Sequence, residues 1–222
     1  MVVAGGAAFF LLHKNSSAEG PGGFDPSDPS SPIKNPEANP VHFQLRSSDS
    51  VRVATGTPDA ANVQQAVQDI RNTLGNMYTI AFTDPNNWQS GNYDNVFGFF
   101  AQGKISDAAK RDEATLTLGQ NAGDTYDDVS PRYASLVVKM LTDKGGQPFT
   151  ASATADFTAD AKTKAGPNKV IKSHATYILQ RGEGGWIVVG YKAKRTDGKA
   201  GATGGTHSPK PSKSPSPRGT SS

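Results

Sequence analysis

The sequence predicts an α+β domain: a long N-terminal helix and several short helices packed on a curved antiparallel four-stranded sheet, with disordered flanks. Three observations carry this. Twelve residues from Phe149 to Asp160 alternate strictly, with Phe or Ala at every odd position and Thr, Ser or Asp at every even one. That is the period of a half-buried strand. Earlier in the chain, Val63, Ala66, Val67, Ile70, Leu74, Met77 and Tyr78 recur at steps of three and four, which puts them on one helical face. Only 35% of the 222 residues are hydrophobic, and beyond the first dozen positions they concentrate between residues 58 and 195. One core-forming domain with polar flanks follows.

Residues 1–12, MVVAGGAAFFLL, are uniformly apolar. A spanning helix needs about 20 such residues, and a cleavable signal begins with a cationic region. The distal part of a transmembrane helix, a short signal core and an apolar unstructured end are the three readings, and the first is favoured. Residues 13–40 form a linker rich in Pro, Ser and Gly, a composition that resists helix and sheet alike. Such a segment holds a folded unit away from its anchor. Asn15, Ser16 and Ser17 match a glycosylation sequon, a weak signal in such a stretch.

Residues 41–57 hold VHFQL and VRVAT around a polar turn and read as a short hairpin or one irregular edge strand. Thr57, Pro58 and Asp59 offer an N-cap followed by Pro at the first helical position. The long helix runs from there to about Phe82 and stops at Asp84 and Pro85. A short helix over 92–102 gathers Phe97, Phe99 and Phe100, and Ser106 is placed to cap another over 107–114.

The second half predicts strands over Tyr133 to Leu141, over the alternating segment, over Val170 to Gln180 and over Trp186 to Lys194. Gly-rich turns join the first to the second and the third to the fourth. The domain therefore spans 58–197, and a Ser/Pro-rich tail occupies 198–222.

Charge narrows the function classes. The tail carries Lys199, Lys210, Lys213 and Arg218 with no acid, which accounts for the whole net charge of +3 and leaves the remainder slightly acidic. A basic nucleic-acid surface is not expected on the domain. Cysteine is absent, so disulfides, thiolate metal sites and a thiol nucleophile are excluded.

The element order, and the closing segment YILQRGEGGWIVVGY in which a Trp follows a glycine turn, resemble the nuclear-transport-factor-2-like cone fold. With the apolar start and Pro/Ser linker, the chain is similar to membrane-anchored, outward-facing actinobacterial members such as mammalian-cell-entry-associated proteins. Type IV secretion inner-membrane assembly proteins share this layout. The resemblance covers about residues 58–195 and implies a cone whose mouth, in enzymes of the family, holds a carboxylate or a His–Asp pair. Fold membership alone does not give activity.

Alternation tests that implication. With the Ala and Phe positions inward, Asp156 and Asp160 face solvent, and His174 lies outward with Lys172 and Thr176. The inner wall then offers Tyr177, Tyr133 and Tyr191, and a phenol is a poor base near neutral pH. Catalysis would draw on Asp112, Glu113 or Asp84 from the helical side, with Tyr177 as a hydrogen-bond donor, but each carboxylate is better read as a cap or surface charge. No metal site is expected. Trp88 breaks the calcium-like loop that starts at Asp84, the cluster Asp124, Asp127 and Asp128 sits in a loop rich in Gly and Asn and offers at most a weak divalent-ion contact, and the four His are dispersed.

The reading is a membrane-tethered, extracytoplasmic, non-catalytic interaction or assembly module with an unknown protein partner and no cofactor. The alternative is a small apolar ligand binder or isomerase-like enzyme, with a pocket lined by Phe97, Phe100, Phe157 and Tyr177.

Overall fold

In the computed structural model, residues 37–46, 51–53 and 58–200 are described. The expectations for residues 1–12, for most of the linker and for residues 201–222 lie outside them. Helices and sheet form one mixed α+β domain. Two short strands, β1 (Gln44–Leu45) and β2 (Val51–Val53), precede helix α1 (Ala60–Tyr78). Helices α2 (Pro85–Trp88), α3 (Asp94–Phe97), α4 (Lys104–Arg111), α5 (Glu113–Leu116) and α6 (Ala122–Thr125) follow. The chain ends in β3 (Tyr126–Thr142), β4 (Pro148–Thr163), β5 (Lys169–Gly182) and β6 (Gly185–Lys199).

The long strands form an antiparallel meander in the order β3-β4-β5-β6. The sheet has six strands rather than four, because β1 and β2 both add to the free edge of β3, in parallel. They form no hairpin with each other. Parallel pairing needs a long crossover, and α1 to α6 supply it before the chain returns as β3. Val41 and Phe43 are buried in the core, so this segment belongs to the domain. Even the end of the linker is fixed: Asn39 donates through its backbone to Thr83 O and through Nδ2 to Val129 O. At the other end β6 runs two residues beyond Asp197, with Gly198 opposite Val170 and Lys199 opposite Lys169.

Helix α1 is capped two residues later than the sequence suggests, at Asp59 rather than Thr57. Asp59 Oδ1 accepts from the backbone of Ala61 and Asn62, and Pro58 stays outside the helix. The predicted stripe is buried except for half-buried Val63. Gly75 costs helix propensity, but a Cβ there would lie 2.8 Å from Val41 O, so its absence lets the β1 segment cross the helix. The helical run continues as a π-turn over Thr79–Thr83 and ends where Asp84 caps α2. Ser106 lies inside α4, whose N-cap is Gly103, rather than capping a helix.

The alanines turn out as expected. Ala151, Ala153, Ala155, Ala159 and Ala161 are at most 1% exposed, and small side chains there let the helical layer approach the sheet closely. Phe149 is 43% exposed instead of inward. A bulge between the Thr142–Pro148 and Leu141–Thr150 pairs leaves it without a partner, and Pro148 takes the buried place. Further bulges at Asp127 and Arg132 in β3 and at Val189 in β6 bend those strands and curve the open sheet. On β6, Trp186 and Val188 are the buried pair. Val188 exchanges backbone hydrogen bonds with Phe99 O at 2.9 Å and Ala101 N at 2.8 Å, which covers part of that sheet edge.

Candidate functional site

Inside the curve of the sheet, where a pocket is expected, aromatic side chains fill the space. Tyr78 packs against Phe43, Phe82, Phe157 and Tyr177 with ring centroids 5.1 to 6.3 Å apart, and Phe82 lies 5.2 Å from Phe157. The polar ends of these rings satisfy one another. Tyr177 Oη donates to Tyr78 Oη at 3.2 Å, and Tyr78 Oη lies 3.3 Å from Ser173 Oγ. Burial pushes the Tyr177 hydroxyl well above a phenol's ordinary value and raises that of Tyr78. Neither is fitted to take a proton near neutral pH.

Phe97, Phe100, Phe157 and Tyr177 are all at most 5% exposed. Phe157 and Tyr177 meet in the Tyr78 cluster, whereas Phe100 packs on Tyr191 at 5.4 Å. The carboxylates of the helical side are engaged elsewhere. Asp112 accepts from Tyr191 Oη at 2.8 Å, and burial followed by this carboxylate raises that hydroxyl to about 12. Asp84 accepts from the backbone N of Asn86 at 3.0 Å and from Asn87 Nδ2 at 2.7 Å, as a helix cap does. Burial lifts the Glu113 carboxyl above its usual range, but no tyrosine of the core hydrogen-bonds to it. Among the described residues no group of three His or acidic side chains is arranged to hold a metal ion.

The ionisable groups instead gather on the opposite face of the sheet. Asp156 on β4 lies opposite His174 on β5, which lies opposite Lys194 on β6. His174 Nδ1 is 2.6 Å from Asp156 Oδ1, and Arg46 Nη1 is 3.5 Å from Asp156 Oδ2. Arg46, just past β1, also donates to Tyr133 Oη at 3.4 Å. In the next row Tyr133, Thr158, Lys172 and Thr196 lie side by side. These residues surround a shallow cleft of about 410 Å³, and Phe157 and Ser173, whose side chains turn to the core, contribute its floor. Two larger cavities, of about 720 and 530 Å³, flank α1, but the first has only Arg71 and His42 as ionisable side chains and the second only Asp69. Size and chemistry thus part company, and the cleft holds the chemistry.

Tyr133 is a correction to the sequence reading, which placed it on the inner wall. The bulge at Arg132 resets the alternation: Val129 is inward before it, Ala134 and Leu136 after it, and Tyr133 faces outward at 42% exposure. Alternation also assigned Asp156 and His174 to the outer face, but as separate solvated charges. Their contact depends on the β4–β5 register, which the turn between the strands sets.

A second polar cluster ties the helical cap to the sheet. Arg195 donates to both carboxylate oxygens of Asp197, at 2.9 and 2.8 Å, to Ala114 O at 2.9 Å and to Thr117 O. Tyr126 Oη completes the group at 3.3 Å from Asp197. Burial would push the Asp197 carboxyl up, but the hydrogen bonds and charge of Arg195 outweigh it and hold the group below the usual range. All three guanidinium nitrogens of Arg195 and the Tyr126 hydroxyl are engaged, which marks the cluster as a structural clasp.

No protein-family model, no curated protein and no solved structure matches the chain. Among the described residues no helix is long and apolar enough to cross a membrane.

Proposed function

We propose that the chain is a non-catalytic binding or assembly module of nuclear-transport-factor-2-like kind, tethered at a membrane on its extracytoplasmic side and engaging its partner through the outer face of the sheet. The single observation that carries the reading is the filled interior. The Tyr78, Phe82, Phe157 and Tyr177 rings occupy the position where such a fold would hold substrate, and no carboxylate hydrogen-bonds to that cluster. Catalysis by general acid and base needs a titratable group within reach of a bound substrate, and the interior supplies two buried phenols. The outer face, by contrast, is broad and polar, with Ser152, Thr154, Asp156 and Thr158 projecting along β4.

The tether rests on sequence: an apolar run at residues 1–12 followed by a Pro-rich linker that keeps a domain clear of a surface. Two experiments on the full chain test the proposal. Fractionation with protease accessibility is expected to recover it with membranes, with the domain cleavable from outside the cytoplasm. Recovery in the soluble cytosol overturns the tether. A thermal-shift screen of apolar small molecules is expected to give no hit. A ligand at 100 times its dissociation constant that stabilised the protein by about 2.7 kcal/mol would favour the ligand-binding alternative.

A further inference from the structure

We propose that the cleft over Asp156 and His174 binds a phosphate group, presented either by a soluble phosphate ester or by an anionic lipid headgroup. This rests on the reading that the outer sheet face is the working surface, and it names what that face recognises.

The lining of the cleft is almost all donors. Arg46, Lys172, Lys194 and His174 surround it with the hydroxyls of Tyr133, Thr158 and Thr196. Its one carboxylate, Asp156, is already taken by His174 Nδ1 at 2.6 Å and Arg46 Nη1 at 3.5 Å. Those contacts orient the ring and the guanidinium; Arg46 keeps N–H groups of its fork free to turn to a ligand, and the imidazolium form of His174 adds Nε2–H. Among the described residues neither Lys172 nor Lys194 has an ion-pair partner. Nearby acids are committed elsewhere: Asp160 pairs with Arg132, and Asp197 with Arg195 on the other face.

Cross-strand register makes this surplus a site rather than a scatter. Lys194 stands directly opposite His174, and Lys172 lies two residues along the same strand on the same face, opposite Thr196. Like-signed neighbours at this spacing repel mildly, and an anion set between them removes the cost. The donors reach inward from β5, β6 and, through Arg46, from the far edge of the sheet. A tetrahedral oxyanion with three free oxygens can accept from three sides at once, whereas a carboxylate presents two oxygens in one plane. The floor is flat main chain, and the Ser173 hydroxyl beneath it is within bonding distance of Tyr78, so the site is shallow. It suits a headgroup or a terminal phosphate and not a buried metabolite.

The test uses the full chain with two double variants of equal charge change: Lys172→Gln with Lys194→Gln in the cleft, and Lys104→Gln with Lys110→Gln on α4. Thermal melts establish that both are folded. Binding is measured to inorganic phosphate, to glycerol phosphate, and to vesicles of phosphatidylglycerol in phosphatidylcholine, with pure phosphatidylcholine as the blank. The cleft variant is expected to bind at least about tenfold more weakly than wild type, with the α4 variant within about twofold. A difference in the soluble arms alone assigns a phosphate ester, and one in the vesicle arm alone assigns a headgroup. If the two variants behave alike in every arm, or nothing binds in any, the phosphate site is wrong. That result leaves the non-catalytic reading in place, because the ligand screen and fractionation judge it separately.

Discussion

The hydroxyl of Tyr177 on β5 donates to the hydroxyl of Tyr78 on α1, 99 residues earlier, at 3.2 Å in the centre of the core. This contact fastens the long helix to the sheet and closes the interior, and it has a measurable signature at high pH.

Five of the six tyrosines have hydroxyls raised chiefly by burial: Tyr78, Tyr93, Tyr126, Tyr177 and Tyr191, with Tyr126 and Tyr191 at about 12. Tyr133 is the exception, lowered by the side chains of Ser135 and Arg46 beside it. A group raised by folding gives stability that is complete below its unfolded value of about 10 and is lost as pH climbs through the folded value. Tyrosinate absorbance is therefore expected to rise in two steps, a small early one from Tyr133, below the ordinary phenol value, and a large one coincident with alkaline unfolding. Tyr133→Phe removes the first step alone. One smooth transition for all six would contradict the burial described.

The clasp between Arg195 and Asp197 has the opposite pH sense. A carboxyl lowered by folding contributes stability above its unfolded value, about 3.9, and loses it as pH falls through the lower folded value. Asp197→Asn is expected to cost about 2 kcal/mol at pH 7, the scale of hydrogen bonds to charged groups. The difference from wild type should shrink below about pH 4. Chemical denaturation at both pH values measures it, and a gap independent of pH would show that the carboxylate charge contributes nothing.

Trp186 follows the last glycine turn and is 6% exposed beside fully buried Val188. Trp186→Ala is expected to lower stability by about 3 to 5 kcal/mol. An unchanged melting temperature would place the indole outside the core.

What the sequence made legible was local in character. The alternation of β4 and the stripe of α1 depend on neighbours within a few positions, so the inward alanines and the buried helix face could be read directly. Phe149 and Tyr133 could not, because one bulged residue in each strand reverses the alternation around it, and Pro131 and Pro148, the local marks of a bulge, do not say which residue is left unpaired. The parallel edge made by β1 and β2 depends on a partner more than 80 residues away. The same holds for the cleft. Asp156 and His174 were each placed on the outer face by periodicity, but their contact, and the approach of Arg46 from another strand, follow from register and crossover. A turn-length reading of the segment between β4 and β5 would have paired the two.

The filled interior is tested most directly by a pair of adjacent substitutions on β4. Ala153 is fully buried, opposite Val138 and Tyr177, while Ser152 faces outward between Lys139 and Ile178. Measured by denaturant unfolding, Ala153→Leu is expected to lose about 1 to 3 kcal/mol by overpacking, and Ser152→Leu to stay within about 0.5 kcal/mol of wild type. If Ala153→Leu is neutral or stabilising, there is room beside Tyr177 for another side chain, and the interior is an open pocket after all.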